Sequence, residues 1–158
     1  MLYRALGHGQ RVGAVQFIKG TRISGEVAFL QKLGLLGQGP LAQVDYFAMA
    51  TGCSWQRGDW DADKPAADRA WDEAQRMLRD DRLNLVVLDE LTFMLQYEYL
   101  NIDQVVLALQ RRPERQNVVI TGRSAQAELI ALADTVSEVG NTKHAFKAGL
   151  KSQAGIDY

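Results

Sequence analysis

Short apolar runs alternate along this chain with longer stretches of helical periodicity. Leu85-Val86-Val87-Leu88 is an unbroken apolar run that ends in two adjacent carboxylates, Asp89 and Glu90, before a helical turn at Leu91-Thr92. A run of this kind fits a strand buried on both faces, as in a parallel sheet covered by helices. Further strands are predicted at Arg11–Lys19, with Val12, Val15, Phe17 and Ile18 in the core, at Val44–Met49, at Asn117–Thr121 and, last and shortest, at Thr135–Val139. Helices fall between them. Met1 to Leu6 is helix-compatible and stops at Gly7-His8-Gly9. Glu26–Leu33 is a short helix, and the glycine-rich residues Gly34 to Pro40 are a flexible connection. Ala50 to Asp63 reads as a long loop, of the kind that is often functional. Asp63 is expected to cap the next helix, with Pro65 near its first turn. Along that helix Ala67, Ala70, Trp71, Ala74, Met77 and Leu78 share one face, with Asp68, Arg69, Asp72 and Arg76 largely opposite. A helix from about Asp103 to Arg111 stops at Pro113, and Ser124 is expected to cap one that runs to Leu132.

About five strands separated by helical segments, joined by right-handed crossovers, make an α/β fold with a doubly wound, mostly parallel sheet. Ligands of such sheets collect at the carboxyl ends of the strands, where Asp89 and Glu90 stand. In nucleotide-binding folds this pattern is a Walker B strand, whose acids hold Mg²⁺ directly or through water. The hexapeptide alone reads equally well as a core strand that ends in solvated acids.

Composition narrows the function classes. The chain has 158 residues, 47% of them hydrophobic and 23% charged, enough for one domain with a real core. A net charge of −1 and a pI near 6.1 provide no basic surface for a nucleic-acid backbone, so no nucleic-acid partner is expected. A single cysteine forms no internal disulfide, and no apolar run reaches the roughly 18–20 residues of a membrane helix. A cytoplasmic location is expected, with no membrane partner. His8 and His144 have no metal-ligating neighbours at a useful spacing, and Tyr97, Tyr99, Trp60 and Trp71 read as packing residues.

Several segments taken together carry a resemblance. They are Gly7-His8-Gly9, VGAVQFIKG (Val12–Gly20), MATG followed by Trp55, LDELT (Leu88–Thr92), YEYL (Tyr97–Leu100), VVITGR (Val118–Arg123), LADTVSE (Leu132–Glu138) and the tail KHAFKAG…GIDY. In order and spacing the chain resembles the P-loop class of ATP:corrinoid adenosyltransferases. The resemblance implies a P-loop nucleotide-binding type of sheet and transfer of the 5′-deoxyadenosyl group of ATP to the cobalt of a Co(I) corrinoid. The products are adenosylcobalamin, or an adenosylated precursor, and tripolyphosphate. It also implies Mg²⁺, a homodimer, a flavodoxin-type reductant and a place in cobalamin synthesis.

By the same resemblance Glu90 is the Mg²⁺ ligand, Asp89 assists it, and Arg123 lies near the reacting groups. Trp55 matches an aromatic residue set against the corrin, where it helps displace the lower axial ligand. Cys53 stands where the family has phenylalanine, and leaves that face less crowded. Gln16 and Lys19, near the end of the first strand, are candidates for nucleotide or corrin contact, and Arg4 completes the candidate binding set.

The chain departs from the family in one respect. No G-x-x-x-x-G-K-[ST] phosphate loop occurs in it, nor the strand that precedes one. The expectation is a domain over residues 1–158 that is truncated at its N-terminus and lacks an interior strand of its sheet. The alternative is a non-catalytic corrinoid-binding or dimerising relative.

Overall fold

The computed structural model describes residues 1–18, 23–37, 39, 41–49 and 60–156. The elements run α1 (Leu2–Gly7), β1 (Val12–Gln16), α2 (Gly25–Lys32), β2 (Val44–Ala48), α3 (Trp60–Arg79), β3 (Leu85–Asp89), α4 (Leu91–Gln96), α5 (Ile102–Gln110), β4 (Asn117–Ile120) and α6 (Ala127–Leu132), with a 3₁₀ turn at Ala145–Ala148. Among the described residues four strands form one sheet in the order β2-β1-β3-β4, and every pairing is parallel. The doubly wound α/β expectation holds.

The register divides the side chains between two faces. Val12, Ala14 and Gln16 of β1 stand opposite Leu85, Val87 and Asp89 of β3, and opposite Val44, Tyr46 and Ala48 of β2. On that face α1 supplies Ala5, which packs with Val12 and Leu85, and Leu2, Leu6, Val87 and Val119 are only partly buried around them. The other face carries the main core. There Val15, Val86 and Leu88 pack with α3, α4 and α5 through Ala67, Ala70, Trp71, Ala74, Met77, Leu78, Leu91, Met94, Val105 and Leu109. All six apolar positions expected on one face of α3 are buried. α3 packs closely on β1 at Gly13, where a Cβ would lie 3.0 Å from both Met77 Sδ and Leu83 Cδ1 and oblige these side chains to shift. Gln116, 2% exposed, ties the end of α3 to the approach of β4 by donating from Nε2 to the carbonyls of Met77 (3.1 Å) and Asp80 (3.0 Å). Each of these carbonyls also accepts a backbone amide, from Asp80 and Leu83 respectively, so Gln116 uses their second lone pairs.

Several boundaries differ from the sequence expectation. Thr135–Val139 forms no strand, and Val136 and Val139 are 55% and 93% exposed. Its β-branched residues, Thr135, Val136 and Val139, have no strand neighbour among the described residues. β1, β3 and β4 pair directly, so no gap falls between these strands. The long loop ends earlier than expected because α3 begins at Trp60, so Asp63 lies inside the helix and does not cap it. Gln126 occupies the N-cap of α6 in place of Ser124, which has φ 53° in a turn with Gly122 at φ 144°. The start of α5 is capped by Asn101, whose Oδ1 accepts from the amides of Asp103 (2.8 Å) and Gln104 (3.2 Å).

Candidate functional site

The carboxyl ends of β1 and β3 bring Gln16 and Asp89 side by side in register. Gln16 Nε2 donates to Asp89 Oδ2 at 3.1 Å, and Gln16 Oε1 accepts from the Tyr46 hydroxyl at 2.5 Å. Tyr46 reaches across from β2, where it pairs with Ala14, two residues before Gln16 and on the same face. From the other side Thr121, one residue past β4, donates from its hydroxyl to Asp89 Oδ1 at 2.6 Å. Both oxygens of Asp89 are thus held by side chains from neighbouring strands. The backbone joins in, because the Phe17 amide donates to the Asp89 carbonyl at 3.0 Å.

Glu90 is placed differently. It is the N-cap of α4 and sits in the left-handed region, at φ 60° and ψ 27°. For a glutamate this conformation costs roughly 1–2 kcal/mol, and it persists only where the surroundings enforce it. They do so through the Glu90 amide, which donates to Thr121 Oγ1 at 3.1 Å. The side chain is half-buried, and its carboxylate has no hydrogen bond or ion pair among the described residues. Burial pushes the Glu90 carboxyl up, the adjacent Asp89 carboxylate adds to this, and Arg123 opposes both. A hard oxygen donor without a protein partner, at the end of a buried strand, is suited to a cation.

Arg123 is exposed, and its backbone is fixed: Thr92 Oγ1, in the first turn of α4, donates to the Arg123 carbonyl at 2.7 Å. Gly122 makes this approach feasible. A Cβ at Gly122 would lie 2.0 Å from Thr92 Oγ1, and φ 144° is open to glycine but rarely to other residues.

The structure therefore brings together four predicted residues, Gln16, Asp89, Glu90 and Arg123. Arg4 is not joined to them: it is exposed on α1 and makes no hydrogen bond or ion pair among the described residues. Lys19, Cys53 and Trp55 lie outside the described residues. Three residues at the site were not singled out by sequence reasoning: Tyr46, Thr92 and Thr121. Thr121 follows directly on an apolar strand, like Asp89, and that position was its one available signal. Tyr46 becomes visible only once β2 is known to lie beside β1.

Similarity to known proteins identifies the family of the chain. A family model described as "ATP:corrinoid adenosyltransferase BtuR/CobO/CobP" matches residues 1–158. The chain is 48% identical over 155 residues to the corrinoid adenosyltransferase of Escherichia coli (strain K12), covering 98% of this chain and 74% of that protein. It matches the corrinoid adenosyltransferase CobA of Salmonella typhimurium at the same identity and coverage. It is 45% identical over 158 residues to the corrinoid adenosyltransferase of Pseudomonas aeruginosa, covering 100% of this chain and 74% of that one. The chain belongs to the ATP:corrinoid adenosyltransferase family.

Proposed function

We propose that this chain acts in transfer of the 5′-deoxyadenosyl group from ATP to the cobalt of a reduced corrinoid, with Glu90 as the carboxylate that faces the nucleotide. The observation that carries the reading is the Glu90 carboxylate itself, unpartnered among the described residues and fixed at the end of a central strand. Co(I) is a strong nucleophile, so the protein need not supply one. Its work is to set the ribose C5′ in line with the cobalt and to offset the charge of the departing triphosphate.

Mg²⁺ fits the residues present. It is bound in such sites by one or two carboxylates together with substrate phosphates and water, not by an all-protein cage. Glu90 would hold it directly, with Asp89 behind, and it would supply charge neutralisation at the triphosphate. Arg123, near enough to oppose the upward shift of Glu90, adds a cation for phosphate or a corrin side group.

The corrin side is assigned to the segment that holds Cys53 and Trp55. The chain enters that segment from β2, whose last residue, Ala48, pairs with Gln16, and the Met49 amide donates to the Gln16 carbonyl at 2.9 Å. Met49, the last described residue before that segment, therefore lies beside Gln16, which donates to Asp89. A homodimer, reduction by a flavodoxin-type protein and a role in cobalamin synthesis in the cytoplasm complete the proposal. Exposed Tyr3, Phe29 and Leu33 on and just past α1 and α2 are apolar surface suited to a second copy. No helix among the described residues is long and apolar enough to cross a membrane.

The test is anaerobic incubation of the protein, as its gene encodes it, with ATP, Mg²⁺ and chemically reduced Co(I) corrinoid. Adenosylated product is expected. Glu90→Gln should lower the rate by about 100-fold or more, since it removes the carboxylate that would hold the charge-neutralising cation, while the fold is unchanged. A wild-type rate for Glu90→Gln at limiting Mg²⁺ refutes the role of Glu90, and a protein that makes no product is instead the non-catalytic relative.

A further inference from the structure

The side chains at the strand ends form a directional series that crosses the whole sheet. Tyr46 on β2 donates to Gln16 on β1, Gln16 donates to Asp89 on β3, and Thr121, just past β4, donates to Asp89 from the opposite side. Thr121 also accepts from the Glu90 amide, so the same hydroxyl fixes both the Asp89 carboxylate and the backbone that turns Glu90 into its left-handed conformation.

We propose that Tyr46, Gln16 and Thr121 are positioning residues that hold Asp89 as an outer carboxylate and leave Glu90 as the single direct one. The inference rests on the proposed reading of Glu90. The two acids are adjacent in sequence, yet their surroundings divide the work between them. Asp89 has a donor on each oxygen, 3.1 and 2.6 Å away, and its orientation is set from both flanks. Each of its oxygens keeps a second lone pair, enough to accept from a cation-bound water. Glu90 has no such donors among the described residues and is free to meet a ligand. Partners of this outer kind commonly change metal affinity or activity by about 10–100-fold when removed.

Tyr46 is the member with no contact of its own to either carboxylate. Its hydroxyl donates to Gln16 Oε1 and so helps hold the amide whose Nε2 end the acceptor-only Asp89 carboxylate takes. Tyr46 also lies on β2, four residues before the segment assigned to the corrin. The series thereby ties the strand that launches that segment to the acids on the nucleotide side.

The experiment measures Mn²⁺ binding in the presence of ATP and without corrinoid, by electron paramagnetic resonance of the free ion, on the protein as its gene encodes it. Tyr46→Phe and Thr121→Val each remove one hydroxyl with little change of shape. Each is expected to weaken Mn²⁺·ATP binding by about 10-fold, and Thr121→Ser should restore it. Glu90→Gln serves as the reference and should abolish the bound signal. If Glu90→Gln binds as wild type, the reading of Glu90 fails. If Glu90→Gln loses binding while Tyr46→Phe and Thr121→Val keep it, the positioning proposal alone is overturned. Should Thr121→Val fail to fold, Tyr46→Phe with thermal unfolding as a control decides the matter. Weaker binding with an unchanged unfolding midpoint supports positioning, and unchanged binding overturns it.

Discussion

On one face of the sheet α3 and α5 close over Val86 and Leu88, which are fully buried, and a core of alanines, Met77, Leu78 and Trp71 continues without interruption. On the other face the short α1 covers Val12 and Leu85 with Ala5, while Val87 and Val119 remain partly open. The polar series of Tyr46, Gln16, Asp89 and Thr121 belongs to this second, thinner face. The difference separates stability from chemistry. A packed face stabilises through buried apolar area, and a polar group placed there would cost free energy unless fully hydrogen-bonded. The thin face carries charge and hydroxyls at lower cost, and its strand ends are open to a ligand.

The comparison can be broken by deleting one leucine from each face. Leu88→Ala, from the packed side of β3, should cost about 3 kcal/mol, whereas Leu6→Ala, on partly buried α1, should cost about 1 kcal/mol. Chemical denaturation of the two variants gives both numbers, and equal losses would mean that the faces share the core evenly.

At the seam between the faces, Gly122→Ala should destabilise by about 2 kcal/mol, because the new methyl group meets Thr92 Oγ1 and the backbone sits at φ 144°. Adding Thr92→Ala should recover only the part due to the contact. Full recovery in the double variant would show that the backbone conformation carries no strain.

The smallest effect has the opposite sign. Glu90→Gly relaxes the left-handed position and should raise stability by about 1 kcal/mol, while transfer activity is lost. Denaturant midpoints check the gain. A glycine variant that is less stable than wild type would mean that the Glu90 side chain contributes packing that outweighs its strain.

What was legible in the sequence follows from how many elements each feature needs. Strand β3 and the acids at its end need only their own segment, so Asp89 and Glu90 could be placed from pattern alone. The buried face of α3 is equally local, and helical spacing identified its apolar members apart from Ala66. The pairing of Tyr46 with Gln16 and Asp89 depends on strand order, which periodicity does not contain. Thr135–Val139 has the β-branched residues of a strand but no strand neighbour among the described residues, and Ser124 looks like a cap but sits in the turn after Gly122. In both cases local preference gave way to tertiary context. The donors that hold both oxygens of Asp89 were not legible, because they come from two other parts of the sheet.

The strand order has a consequence for when the molecule opens. Among the described residues β1 and β3 are the inner strands, hydrogen-bonded on both sides, whereas β2 and β4 are the outer ones. Amides of inner strands exchange with solvent only in the rarer, larger openings, and those of outer strands exchange through local fraying. Gln16 and Asp89 therefore ride on the part of the protein that lets go last. Tyr46 and Thr121, their partners from the flanks, ride on parts that breathe more often. The acid keeps its place through most fluctuations, and its two outer supports come and go.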